Sequence, residues 1–366
     1  MSSTAIRNDM RPVIFTWLVT RAILIAAAAY LVHTKGVTLT QVLSNWDVGH
    51  YTAIAELGYA NPSDVAFFWG LPGLMRLLQA VGLPMVVGTA ILAQVASALA
   101  AWAVCRIAGS GAACIWLLLP MTVFTAVPYT EPFFAAAAFW AWQRADTGRW
   151  AQAGLLAALA CTLRISGLFL IAGLGALAVC QASRAWRARF ADACWLLLPA
   201  AVLAGYAVFL HHLTGSWTAW YSAQGAGWQR SLSWPWDALQ ATLPMTAESY
   251  WPGRPEVPVM FRLEIVSVAA GYLTLAWCLV RRRWAEAAWL AANVITLSCS
   301  GWFLSVNRAV LLWFPLCGLL AGLVSWRPGG RNARRLVGLG WAVLLVADLV
   351  LLAWWTLCFG SGGWAS

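Results

Sequence analysis

Long apolar runs recur along the whole chain, and they constrain its fold more than any other feature. Of the 366 residues, 62% are hydrophobic and 10% are charged, whereas a soluble domain carries about 25% charged residues. A surface so poor in charge cannot face water on all sides. We therefore expect residues 1–366 to form one all-helical domain, a polytopic integral membrane protein.

The apolar runs predict eleven membrane spans. Several runs are shorter than the roughly 20 residues that cross a bilayer. The pairs that meet near Pro128 and near Arg164 are expected to be broken helices that line a cavity, because such breaks are tolerated only away from lipid. The expected spans are 13–33, 84–105, 113–128, 131–143, 150–163, 166–182, 191–212, 262–280, 285–304, 309–325 and 336–357.

The arginines predict the orientation of the chain. With a cytoplasmic N-terminus, the cytoplasmic loops hold most of the 23 Lys and Arg residues, and the outer loops hold most of the acids. Positive charge favours the cytoplasmic side, so two long loops, 34–83 and 214–261, are expected on the external face. The arginines assigned to the cytoplasmic side are Arg7, Arg11, Arg106, Arg144, Arg149, Arg184, Arg187, Arg189, Arg281, Arg282, Arg283, Arg327, Arg331, Arg334 and Arg335.

The net charge of +10 does not indicate a nucleic-acid partner, because the basic residues cluster in short loops between spans. Low lysine with abundant Ala, Arg and Trp is typical of a GC-rich genome, which favours a bacterial cell membrane as the location. The nine cysteines are scattered singly, with no spacing that suits a metal site or a disulfide framework. We expect no cofactor and no metal.

The first long loop has helical character. Apolar residues recur at helical spacing through 43–55, interleaved with Asp47, His50 and Glu56. This pattern predicts an amphipathic helix at the membrane interface, and residues 67–81 predict a second one.

Polar residues stand near membrane level on the predicted external side, where an unpaired charge is costly. This combination suits transfer of a group from an anionic lipid: a carboxylate takes the proton of an attacking hydroxyl, and guanidinium groups hold the departing phosphate. The residues concerned are Asp47, His50, Glu56, Tyr129, Glu131, Arg164, Gln224 and Arg308.

Several of these segments resemble the PIG-V mannosyltransferases, which add the second mannose in GPI-anchor assembly. The resemblance is carried by Trp-Asp-Val-Gly-His-Tyr at 46–51, Ile-Ala-Glu-Leu-Gly-Tyr at 54–59 and Ala-Phe-Phe-Trp-Gly-Leu-Pro at 66–72. Later segments agree in order: 128–133, 148–150 with 163–167, 215–230, and 307–308 with 314–316.

The resemblance implies a GT-C glycosyltransferase fold, a polyprenyl- or dolichyl-phosphate mannose donor, and inversion at the anomeric carbon. It places the catalytic aspartate of the first external loop at Asp47. The acceptor is then a lipid-linked or surface glycan. We assign substrate binding to Trp46, His50, Tyr51, Glu56, Tyr129, Glu131, Arg164, Gln224 and Arg308.

Asp47 and three of its predicted neighbours also have structural interpretations. Asp47 is a favoured helix N-cap, and Glu56 suits a solvated helix face or an arginine partner as well as an acceptor or metal contact. His50 shares a face with Asp47, where it either bonds substrate or packs. Glu131 opens a Pro-led helix, so a role at the helix dipole competes with a role in the site.

The remaining charged residues leave alternatives as well. Arg164 suits a phosphate contact or a buried partner for Glu131, and Arg308 suits a phosphate contact or the membrane interface. Asp348 lies in the middle of a predicted span and is expected to pair inside the helix bundle.

A transporter or flippase is the competing class, because intramembrane charges and broken helices also mark transport pathways. The two long loops share no pattern, and no internal repeat is evident. A third hypothesis is a non-catalytic partner of another glycosyltransferase, in which Asp47 would be dispensable.

Overall fold

The computed structural model describes residues 9–181, 185–326 and 328–365. Arg7, Arg184 and Arg327, three of the arginines assigned to the cytoplasmic side, lie outside these residues. All regular structure in the described ranges is helical, as the composition predicted.

Eighteen α-helices follow one another along the described chain. The first nine are α1 (Met10–Lys35), α2 (Leu39–Leu43), α3 (Asp47–Leu57), α4 (Gly70–Ala80), α5 (Met85–Ala108), α6 (Ser110–Leu118), α7 (Thr130–Asp146), α8 (Trp150–Cys161) and α9 (Ser166–Cys180). The second nine are α10 (Trp186–Cys194), α11 (Leu197–Thr214), α12 (Ala219–Trp228), α13 (Pro235–Thr242), α14 (Glu256–Val280), α15 (Trp284–Ser298), α16 (Val306–Ala309), α17 (Phe314–Ser325) and α18 (Arg331–Gly360). Short 3₁₀ turns occupy Pro62–Ala66, Pro120–Thr125, Leu243–Thr246, Glu248–Tyr250 and Val310–Leu312.

Five helical stretches of the described chain are long and apolar enough to cross a membrane: Met10–Lys35, Met85–Ala108, Trp186–Thr214, Glu256–Val280 and Arg331–Gly360. A sixth crossing is formed if the bent pair Val306–Leu312 and Phe314–Ser325, which meet at 79°, is one span. The chain is therefore an integral membrane protein. The other runs form shorter helices, and the count of eleven stays a prediction.

The first predicted break lies between α6 and α7, where residues 119–129 leave the α-helical path. Backbone carbonyls freed by such a break need partners away from water. Gln94 of α5 supplies one, because its Nε2 donates to the Ala126 carbonyl at 2.9 Å. Buried Arg21 of α1 supplies another, because its Nη1 donates to the Thr125 carbonyl at 3.4 Å, and its Nη2 donates to the hydroxyl of the same residue at 2.9 Å. Two polar side chains inside apolar helices thus hold the break in place.

The second predicted break lies between α8 and α9, at residues 162–165. Helix α4 begins directly against it, because the Gly70 N–H donates to the Thr162 carbonyl at 2.8 Å. A Cβ at position 70 would lie 2.5 Å from the Thr162 hydroxyl oxygen, so the close approach requires glycine. The first long loop is thereby anchored to the broken helix.

The first long loop contains the two predicted helices, α3 and α4. Helix α3 buries Val48, Tyr51, Ile54 and Ala55, the face that the apolar spacing predicted. Glu56 stays exposed on the other side. The loop therefore packs on the helix bundle through one face of α3 and directs that helix toward the two breaks.

The prediction that Asp348 pairs inside the bundle is wrong. Among the described residues, no hydrogen bond or ion pair reaches its carboxylate, which is half-buried. The reason is the packing of α18, whose fully buried residues lie only near its C-terminal end, from Leu352 to Phe359.

Candidate functional site

A cavity of about 170 Å³ lies where α3, the start of α7, the second helix break, α12, α15 and α16 meet. At about 30 Å³ for each molecule of liquid water, this volume holds about six water molecules. Five of the predicted site residues border it: Asp47, Tyr51, Arg164, Gln224 and Arg308. Its other walls are largely aromatic and aliphatic, and they include Phe67, Phe68, Trp220 and Trp228.

Asp47 is the first residue of α3, and the chain turns sharply to place it there. The preceding residue, Trp46, has φ 56°, a strained conformation for a bulky side chain. The indole Nε1 of Trp46 donates to the Gly363 carbonyl at 2.9 Å, and its ring packs edge-on against Trp364. The C-terminal segment therefore stabilises the turn that positions Asp47.

Arg308 connects Asp47 to the first helix break. Its Nη1 donates to Oδ2 of Asp47 at 2.6 Å. Its Nε lies 3.0 Å from Oε1 of Glu131 without the alignment of a hydrogen bond, so this second contact is an ion pair. The guanidinium also lies 5.2 Å from the ring centre of Tyr129, a cation–π distance. One cation thus pairs with two carboxylates from different helices.

Glu131 lies behind the cavity wall, with a side chain only 1% exposed. Its Oε1 also accepts a hydrogen bond from Nη1 of Arg164, and that same nitrogen donates to the Thr130 hydroxyl at 3.2 Å. Of the two roles open to Arg164, the structure contains the partnership with Glu131. Because Arg164 also borders the cavity, its partnership with Glu131 does not remove it from the site.

Tyr129 and Tyr51 complete the support of Asp47. The Tyr129 hydroxyl accepts the backbone N–H of Asp47 at 3.2 Å, and the two tyrosine rings meet edge-on. Burial, followed by the charge of Asp47, raises the pKa of Tyr51 above its ordinary value. Tyr51 therefore stays a neutral phenol beside the carboxylate.

Arg308 is directed into the cavity by a carboxylate that the sequence reasoning missed. Glu264 of α14 is 1% exposed and accepts the backbone N–H groups of Ser305, Val306 and Asn307 at 2.7–3.0 Å. Ser305 has φ 62°, so the chain bends at this point. The carboxylate satisfies the free N–H groups at the start of α16.

We expect Glu264→Gln to weaken this anchor, because an amide offers one acceptor oxygen and no charge. The loss of a helix cap costs about 0.5–2 kcal/mol, so the thermal midpoint of the purified protein should fall and turnover should drop with it. Exposed Glu248, in the second long loop, is the matched control. A Glu264→Gln protein as stable and active as Glu248→Gln would contradict the anchoring role.

The other predicted substrate-binding residues do not border the cavity. Glu131 lies behind its wall, Tyr129 is buried and bonds to the backbone of Asp47, and Trp46 donates to the C-terminal segment. Glu56 is exposed and lies nine residues after Asp47, about two and a half helical turns, which places it on the opposite face of α3. Of the two roles open to Glu56, the geometry matches the solvated helix face.

His50 lies beside the cavity in a packed position. Its ring stacks on Phe67 at 4.6 Å, and its Nδ1 lies 3.0 Å from Oδ1 of buried Asp64. The other oxygen of Asp64 accepts from the backbone and side-chain N–H groups of Asn61. The His50–Asp64 pair therefore ties α3 to the following 3₁₀ turn, a contact that the sequence reasoning did not predict.

Arg230 and Glu264 were missed although the sequence contained a signal for each. Arg230 is a basic residue in a loop assigned to the side that holds few of them, and it borders the cavity. Glu264 is an acid inside an apolar run, the type of residue that marks a site. Each residue differs in charge from the residues around it. A search for motifs alone does not detect such a difference.

No group of three His, Cys, Asp or Glu side chains that could hold a metal ion occurs in the part of the chain that the structure describes. Independence from metal ions and cofactors stays a prediction.

Known proteins resemble this chain over part of its length. The mannosyltransferase "GPI alpha-1,6-mannosyltransferase 2" of Rattus norvegicus is 36% identical over 145 residues, which cover 34% of this chain and 30% of the rat protein. The proteins of the same name from Mus musculus and Cricetulus griseus are 35% and 36% identical over 145 residues and are covered to 29%. This chain thus spans about a third of the length of these curated relatives. No protein-family model and no solved structure matches it. Over the aligned part, the chain is PIG-V-like, as its motifs predicted.

Proposed function

We propose that this protein is a membrane mannosyltransferase that moves a mannosyl residue from a polyprenyl-phosphate mannose donor to a lipid-linked or surface glycan acceptor. The observation that carries the proposal is the Asp47–Arg308 ion pair on the wall of the cavity. The similarity to proteins named as mannosyltransferases supports the same class.

Asp47 is the general base in this proposal. The acceptor hydroxyl oxygen forms a bond to the anomeric carbon, and its proton passes to the Asp47 carboxylate. The bond between the anomeric carbon and the phosphate oxygen breaks, and its electron pair leaves with polyprenyl phosphate. Attack opposite the leaving group inverts the anomeric carbon.

Arg308 and Glu131 prepare Asp47 for this role. The guanidinium binds the Asp47 carboxylate through a charge-assisted hydrogen bond and so fixes the position of the oxygen pair at the cavity wall. Glu131 binds the same guanidinium from behind, and its second partner, Arg164, borders the cavity. The carboxylate is thus held at a fixed position before substrate arrives, which favours the reaction by orientation.

The site is proposed to face the external side of a bacterial cell membrane, with the N-terminus in the cytoplasm. The support is the asymmetry of the arginines: Arg281, Arg282, Arg283, Arg331, Arg334 and Arg335 flank the ends of helices opposite to the cavity in the expected topology. Membrane lipids cover the apolar outer surface, and a lipid-borne donor would approach through them.

The test uses membranes from cells that express the protein, incubated with labelled polyprenyl-phosphate mannose. We expect covalent incorporation of label into a glycolipid, and we expect this labelled glycolipid to be absent when the membranes come from cells that lack the gene. Label that enters sealed vesicles without covalent product would identify a carrier instead. Comparing the glycolipids of deleted and complemented cells then identifies the acceptor.

A further inference from the structure

The two carboxylates of the site already neutralise two of its three arginines. Arg308 contacts Asp47 and Glu131, and Arg164 contacts Glu131. These guanidinium groups compensate charge within the protein, so they offer little excess attraction to an anion. The third arginine at the cavity, Arg230, has a different environment.

Arg230 is placed at the cavity by the end of α12. Gln229, directly after this helix, has φ 53°, and the backbone N–H of Arg230 donates to the Gln224 carbonyl at 3.3 Å. This left-handed turn reverses the chain. It brings Arg230 to the same wall as Gln224 and Trp228, which also border the cavity.

The hydrogen-bond acceptors of Arg230 carry no charge. Its Nη2 donates to the Leu304 carbonyl at 3.1 Å, and its Nη1 lies 3.5 Å from the Ser300 hydroxyl. Its Nε is buried and has no hydrogen-bond partner in the described part of the chain. A guanidinium in this state has bonding capacity left for an anionic ligand.

The electrostatic environment agrees with the geometry. Burial, followed by repulsion from Arg308, lowers the pKa of Arg230 to about 10, against the attraction of Glu264. The guanidinium is still charged at neutral pH, but burial and the neighbouring arginine make its charged form less stable than in water. A bound anion would stabilise the charged form.

We infer that Arg230 is the residue that binds the phosphomonoester of the lipid product, and that it does so through charge that Arg164 and Arg308 do not supply. This inference rests on the proposed function for the identity of the lipid. The anion site itself depends only on the geometry of the cavity.

The reaction explains why a cation is needed at this wall. The donor phosphate is a diester with one negative charge, and the leaving polyprenyl phosphate is a monoester that carries up to two. Negative charge therefore grows as the bond to the anomeric carbon breaks. A fixed guanidinium that faces the leaving oxygen stabilises the transition state more than the bound donor.

The experiment measures binding without catalysis. Detergent-purified protein is titrated with polyprenyl phosphate, with polyprenol and with inorganic phosphate, and the thermal midpoint is followed. We expect polyprenyl phosphate to bind wild type much more tightly than polyprenol does. Arg230→Gln should weaken that binding about 10- to 100-fold, the loss of a charge-assisted contact, while polyprenol binding stays unchanged. Stabilisation by inorganic phosphate alone would identify a site for free phosphate and overturn the lipid assignment.

Arg254→Gln is the matched control, because Arg254 lies in the same long loop and is paired with Glu256 away from the cavity. Equal binding of polyprenyl phosphate by Arg230→Gln and Arg254→Gln would overturn the inference. Equal binding of polyprenol and polyprenyl phosphate by wild type would overturn it as well, even if the Arg230 variant does not fold.

Mannose transfer by wild type distinguishes a failure of the proposed function from a failure of the assignment of Arg230. If wild type transfers mannose and Arg230→Gln binds the product normally, only the assignment of Arg230 fails. If wild type transfers no mannose but binds polyprenyl phosphate through Arg230, the proposed function fails and the anion site stands.

Discussion

Asp47→Asn should abolish mannosyl transfer and leave the protein folded. A positioned general base contributes about 10²- to 10⁴-fold to the rate, and an amide cannot accept the proton of the acceptor hydroxyl. The fold should survive because Arg308 keeps its second carboxylate, Glu131, at 3.0 Å. The measurements are initial rates with labelled polyprenyl-phosphate mannose and the thermal midpoint of the purified variant.

Asp237→Asn is the matched control for this change. Asp237 is an exposed aspartate in the first turn of α13, in the second long loop, and it does not border the cavity. Its replacement should leave transfer unchanged. An Asp47→Asn protein that transfers mannose at the wild-type rate would remove Asp47 from the role of base, and it would favour a non-catalytic function for the chain.

Much of the fold could be predicted from the sequence, because apolar periodicity and proline placement are local signals. The long spans, the two helices of the first long loop and the breaks near Pro128 and Arg164 all follow from them. Asp348 shows the limit of this reasoning. Whether it pairs depends on which part of α18 packs against the other helices, and no local sequence pattern encodes that.

The site could be predicted only in part, for a similar reason. Polar residues in apolar surroundings identified Asp47, Arg164 and Arg308, which all border the cavity. The sequence offered Glu131 as one of two partners for Arg164, but it indicated no carboxylate for Arg308, because the partners of Arg308 are far apart from it in the chain. Asp47 and Arg308 are separated by 261 residues. These long-range pairs determine which arginine has no carboxylate partner and can bind a ligand.

The largest loss of stability is expected for Glu131→Gln. The side chain is 1% exposed and pairs with both Arg164 and Arg308, so its removal leaves Arg164, whose side chain is 19% exposed, without its carboxylate partner. Breaking a buried ion pair on one side costs about 3–5 kcal/mol. Chemical denaturation in mixed micelles should show a decrease of this size in the free energy of unfolding.

A second variant distinguishes this charge imbalance from a simple loss of contacts. Glu131→Gln combined with Arg164→Gln removes both partners, so the double variant should be more stable than Glu131→Gln alone. The control is Glu286→Gln, which breaks the more exposed pair with Arg283 within one helix turn and should cost about 0.2–1 kcal/mol. If Glu131→Gln lowers the free energy of unfolding no more than Glu286→Gln does, charge compensation does not hold Glu131, Arg164 and Arg308 together. The attraction left over for a ligand at Arg230 would then need another explanation.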